Sequence, residues 1–301
     1  MPAALLMVLS TALFALMGVA VKSASAHYGT GEIVVVRSLI GTFLAAGLAW
    51  HQGVSLSTQV PGRHLWRGLV GTSSMLLWFA AMSRLPLATA VTLNYMSSVW
   101  MACFLLLRTW RGHGPIDMRL VTTVALGFVG VALVLQPTLS QNQLGFGLLG
   151  LASGMFSAAA YLLVAALGRA GEPEQRVVFY FSLVGVAVGL AAVPLTGGFH
   201  PHGSEGLWPL VAAGVLATVA QLAMTRAYAI GRPLVNASLQ YLGIVFSFGL
   251  GVWWFDDPVT APALFGMALI IAAGLRATQV RAHRSPDAGG SPAGEEAPPR
   301  V

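Results

Sequence analysis

The sequence predicts an all-α integral membrane protein with ten transmembrane helices arranged as two inverted five-helix repeats. Three observations carry that expectation. The composition is 56% hydrophobic and only 9% charged, where a soluble domain carries charge on about a quarter of its residues. The apolar residues gather into ten runs near the length of about 20 residues that a helix needs to cross the hydrocarbon layer. Finally, the chain repeats itself. Laying Tyr95 on Tyr241 aligns LPLATAVTLNY with GRPLVNASLQY, placing Thr92 on Ser238, Leu93 on Leu239 and Asn94 on Gln240. The register extends to Ala81-Met82-Ser83 on Ala227-Tyr228-Ala229, to Gly130-Val131 on Gly274-Leu275 and to Ser38-Leu39-Ile40-Gly41 on Ser182-Leu183-Val184-Gly185. Each match is short, but their common order and near-constant spacing indicate one unit used twice.

The expected spans are 2–21, 32–50, 65–83, 86–107, 118–136, 145–168, 177–194, 207–229, 233–253 and 260–279. The first has no basic segment ahead of it, and its removal as a signal peptide would destroy the five-plus-five match, so it is expected to be retained. Pro61-Gly62, Pro86, Gly171 to Pro173 and Gly231 to Pro233 punctuate the junctions, and the two shortest links require antiparallel neighbours. Residues 1–136 form the first repeat, 137–143 a periplasmic link and 144–279 the second repeat. An odd number of crossings per unit makes the second copy enter from the opposite face. Residues 280–301 are rich in Pro, Gly and charge, which predicts a disordered cytoplasmic tail.

Charge fixes the expected orientation. Of sixteen basic residues only Lys22, Arg37 and Arg84 fall on the side away from the termini, so both termini are expected in the cytoplasm of a bacterial cell, with the chain in its inner membrane. That distribution accounts for the formal charge of +6 without a nucleic-acid partner. Cys103 is the single cysteine and lies in an apolar run, which excludes an intramolecular disulfide and a cysteine metal cluster.

Polar residues inside a span are expensive and face the bundle interior or a wet cavity. Asn94 and Ser98 share a face of the fourth span with Tyr95 beside it; Gln240 and Tyr241 occupy the matching place in the ninth. Two roles are open for each amide: a substrate contact near the repeat interface, or a hydrogen bond that glues neighbouring helices. Arg37 falls on Phe181 in the repeat alignment. It is either a fork for a substrate carboxylate or phosphate, or a side chain that snorkels or pairs with Glu32. Trp78, Trp100, Tyr161 and Gln221 are cavity-wall candidates, with packing or lipid contact as the competing role. Gly150 and Gly154 form a GxxxG pair suited to packing within the chain or, as the alternative, to a homodimer.

No carboxylate or histidine falls in the middle of an expected span, and the zinc, nucleophile-elbow and phosphate-loop motifs are missing. An enzyme, a catalytic residue, a metal site and a cofactor therefore have no basis in the sequence.

At Ala81 to Pro86 with Ala90 to Tyr95, and again at Ala227 to Ala229, the run to Tyr241, Asp257-Pro258 and Gly266 to Leu275, the chain resembles the EamA-type branch of the drug/metabolite transporter superfamily. The resemblance covers nearly everything but the tail. It implies two five-helix repeats around a central cavity lined by the first four helices of each, with the fifth and tenth at the periphery. The chain departs from the family in carrying arginines, Arg108 and Arg111, where an acidic residue often ends the fourth helix. It also lacks the proline often found in the middle of that helix. The expected function is secondary transport of a small polar or amphipathic metabolite, most readily outward. An importer of a metabolite or vitamin, or a membrane partner that transports nothing, are the alternatives. The partners are the bilayer and a small-molecule substrate.

Overall fold

A computed structural model describes residues 1–112, 118–140, 143–201, 203–231, 236 and 239–284. Every regular element among them is helical: α1 (Ala3–Ala24), α2 (Thr30–His51), α3 (Pro61–Met82), α4 (Leu87–Asn94), α5 (Ser97–Arg111), α6 (Met118–Ser140), α7 (Leu144–Arg169), α8 (Glu174–Ala192), a 3₁₀ turn (Val193–Thr196), α9 (Ser204–Ile230), α10 (Leu242–Phe255) and α11 (Ala261–Arg284).

Six helical segments are long and apolar enough to cross a membrane, with α4 and α5 counted as one; α10 and the apolar parts of α6 and α11 are shorter. The third expected span, α3, is long but falls outside both groups, because Arg63, His64 and Arg67 dilute its first turns. Phe43, Trp50, Trp66, Trp253 and Phe265 are exposed on the outside of the bundle, the surface expected where lipid replaces water. The structure extends α6 through Ser140, into the stretch expected as a link, and α11 through Arg284, into the expected tail. Residues 141–142 of that link and 285–301 of that tail lie outside the described residues.

Helices of the two halves pair in a regular way: α1 on α9, α2 on α8, α3 on α7, α4 on α10 and α6 on α11. The α2–α8 crossing is made of the smallest side chains. A Cβ on Gly41 would meet Ser182 Oγ at 2.6 Å, and one on Gly185 would meet Ser38 Oγ at 2.5 Å, so only glycine lets the backbones approach this far.

The fourth span is not the continuous helix expected from its hydropathy. It breaks at Tyr95-Met96, where Met96 N–H donates to Leu93 O at 3.3 Å, three residues back instead of four, and the α-pattern restarts with Trp100 N–H on Met96 O. The second half breaks at the aligned place: Gly243 N–H donates to Gln240 O at 2.9 Å and Ile244 N–H to Tyr241 O at 3.0 Å. Interrupted helices are tolerated at membrane depth where the freed backbone is buried in protein, and α7 covers the first break. A Cβ on Gly154 would lie 2.7 Å from Leu93 O and 2.9 Å from Asn94 O, and one on Gly150 would touch the Leu93 side chain. The GxxxG pair is thus occupied within the chain.

Candidate substrate cavity

Tyr95 and Tyr241, the aligned tyrosines, meet edge to face with ring centres 6.5 Å apart. Beside this contact a cavity of about 80 Å³ lies between the halves and opens to solvent; in this conformation it has room for several waters. Arg37, Trp78, Asn94, Tyr95, Tyr161, Gln221 and Gln240 line it. Three other expected residues do not. Ser98 is buried away from the lining. The Trp100 Nε1–H donates to Leu151 O at 3.2 Å and its ring meets Phe128 edge to face, so it joins helices. The Tyr241 hydroxyl lies so close to Gly274 that any side chain there would collide with it, which turns it from the cavity towards α11.

The wall is polar on the side of α7. Asn94 Nδ2 donates to Ser153 Oγ at 3.0 Å and Ser157 Oγ at 3.1 Å, while Ser74 bonds Ser157 at 2.7 Å and Ser153 O at 2.9 Å. Asn94 therefore does both things open to it, tying α4 to α7 while lining the cavity. Gln240 lies 3.6 Å from Met224 Sδ through Nε2 and shares the cavity wall with Tyr161. No acidic side chain contributes to the lining among the described residues.

Arg37 takes neither of its ordinary roles. Glu32 is fully buried and accepts instead from His200, at 3.2 Å from the backbone N–H and 3.0 Å from Nδ1. Arg37 is 5% exposed and lies over the ring of Phe181 at 5.2 Å from its centre, the residue on which it falls in the repeat alignment. A second arginine shares the ring: Arg67, 4% exposed, is 4.2 Å away. Counting charges by side placed Arg67 at the cytoplasmic edge; the structure buries it in the cavity wall. Its only sequence signal was a cation inside an apolar helix next to three glycines, Gly62, Gly68 and Gly71.

Polar contacts also join the halves at two places away from the cavity lining. At one, Lys22 Nζ pairs with Asp257 at 2.7 Å, and the other oxygen of Asp257 accepts the Leu87 N–H at 2.6 Å. Asp256, at φ 50°, ends α10 in the left-handed turn that aims Asp257 inward. At the other, Glu172 accepts from Thr58 at 2.9 Å, His64 at 2.9 Å and Arg176 at 3.1 Å. Burial pushes the Glu172 carboxyl upward, but these three hydrogen bonds together outweigh it and hold the group below the usual carboxylate range.

A helical bundle sheathed in apolar side chains, with a cavity between its halves, is the build of a multi-pass membrane protein. The comparisons with known proteins agree. The model of the EamA-like transporter family matches residues 1–136. The pseudopaline exporter CntI of Pseudomonas aeruginosa is 31% identical over 271 residues, spanning 89% of this chain and 93% of that one. A riboflavin transporter of Rhizobium johnstonii is 28% identical over 77% of this chain and 76% of that one. A crystal structure at 19% identity superposes with a TM-score of 0.64 over 95% of this chain and 99% of that one, which shows a shared fold. The chain belongs to the EamA-like transporter family of the drug/metabolite transporter superfamily, and is a transporter, not an enzyme.

Proposed function

We propose that the chain exports a small polar or amphipathic metabolite across a bacterial inner membrane, by rocking two inverted five-helix repeats, 1–136 and 144–279, about a central cavity. The observation that carries this reading is the cavity itself, walled by both halves, each of which contributes polar side chains to a mainly apolar lining. Exchange of each span with the one five further along the chain maps the helix pairs onto themselves: first with eighth becomes sixth with third, while second with seventh, fourth with ninth and fifth with tenth return to themselves. A two-fold axis in the membrane plane would produce that pattern. The concentration of arginine near one set of loops supports cytoplasmic termini. Asn94, Tyr95, Gln240 and Gln221 are the proposed neutral substrate contacts, with Trp78 and Tyr161 as aromatic walls.

The likeness over nine tenths of the chain to a protein named as an exporter favours the outward direction. The likeness to a riboflavin transporter favours a second reading, uptake of a vitamin-sized molecule. The test is metabolite profiling of cells with and without the gene, in medium and cytosol separately. A compound that accumulates inside on deletion, and returns to the medium with the wild-type chain but not with Asn94→Ala or Gln240→Ala, supports export. Depletion inside with accumulation in the medium would convert the reading to uptake, and identical profiles would sink both.

A further inference from the structure

We infer that Arg37, Arg67 and Phe181 form a two-cation seat for an anionic group, so that the transported substrate carries carboxylate or phosphate charge. This rests on the cavity being the transport site. Both arginines line the cavity and are at least nine-tenths buried. Nε and Nη1 of each have no hydrogen-bond partner. Two guanidiniums on one ring, with no acidic side chain in the wall among the described residues, leave two positive charges uncompensated there. Burying an unpaired charge is strongly unfavourable, and cations held this way are ordinarily paired. The missing partner is an anion with acceptors for several N–H groups, the chemistry at which planar guanidiniums excel.

The surroundings preserve the arrangement. Phe181 faces both cations with its ring, which attracts them without neutralising them. Gly71, one turn beyond Arg67, leaves the space that its guanidinium fills: a Cβ there would lie 2.0 Å from Arg67 Nη1. Neither arginine is repeated in the second half, since Arg37 falls on Phe181 and, at the spacing that joins Tyr95 to Tyr241, Arg67 falls on Ala213. The seat is therefore asymmetric, and a substrate engages it with one end while its neutral part meets Asn94, Tyr161 and Gln240.

The test uses the full-length protein in detergent and follows its thermal unfolding against succinate and inorganic phosphate, with succinamide and chloride as controls at matched ionic strength. A saturable rise with succinate separates a carboxylate seat from a phosphate seat. Chloride and succinamide should give none. Arg37→Gln and Arg67→Gln should each weaken the anion response by at least about tenfold, the factor set by one charge-assisted hydrogen bond. They should also raise the melting point of the ligand-free protein, because each removes an unpaired buried charge; a purely structural arginine would lower it. Gly71→Ala, which keeps both charges but displaces one, should weaken the response while Gly168→Ala, in open space, leaves it intact. No saturable rise with either anion, or an equal rise in the arginine variants, overturns the seat. Metabolite export in the profiling experiment with a neutral compound would overturn it too, while leaving the transporter reading standing.

Discussion

Replacing Gly154 with alanine places a methyl group against the backbone carbonyls of Leu93 and Asn94, at 2.7 Å and 2.9 Å. Both distances are short of ordinary van der Waals separation by about half an ångström or more. Neither carbonyl can swing away as a side chain would, because both belong to the last turn of α4. The methyl therefore pushes α4 from α7 and strains the Asn94 bonds to Ser153 and Ser157. Overpacking of this kind costs about 1–3 kcal/mol. Since a domain of a few hundred residues moves its midpoint by about 2–4 °C per kcal/mol, the expected drop is roughly 2–12 °C. The assay is fluorescence-monitored melting in detergent, with Gly145→Ala, on the same helix with nothing within 4 Å, as the reference. Equal melting of the two variants would refute the claim that Gly154 is required by close approach.

Asn94→Ala removes the amide that two serines bond, and should lower stability by about 1–3 kcal/mol while abolishing flux, read by melting and by metabolite export. Asp257→Ala should destabilise more than Lys22→Ala, because it strands the Leu87 N–H as well as the ammonium; comparable melting points would contradict the double role. Glu172, held below the usual carboxylate range, contributes stability that is present at neutral pH and lost as acid takes the solution down through that lowered value. Glu172→Gln should accordingly flatten the acid limb of the melting-point profile, and a limb of unchanged slope would assign it to other groups.

What the sequence disclosed follows from period and repetition. Residues matched by the repeat alignment meet in the structure, Tyr95 with Tyr241 and Arg37 with Phe181, contacts that the alignment alone did not predict. The first break was hidden because no proline or glycine lies at Tyr95-Met96: what accommodates it is Gly154, from a helix about 60 residues away. Arg67 was concealed by the side-counting argument, which treats an arginine near the start of a span as a surface charge. Glu32 looked like the partner of Arg37 because the two are close in sequence, yet His200, on a loop far along the chain, takes it. Local spacing predicts which residues share a face, whereas the competition for a partner is decided by elements the spacing does not see.

The α2–α8 crossing has a bearing on motion. Ser38 and Ser182 meet Gly185 and Gly41 there, and their immediate neighbours in the chain are Arg37 and Phe181. In the proposed rocking, points near a hinge travel least and the distant ends of the helices travel most. With the α2–α8 crossing as the fulcrum of that proposed motion, the guanidiniums and their ring would stay almost stationary while the Lys22–Asp257 and Glu172 contacts, at the ends of the lever, would open and shut in turn.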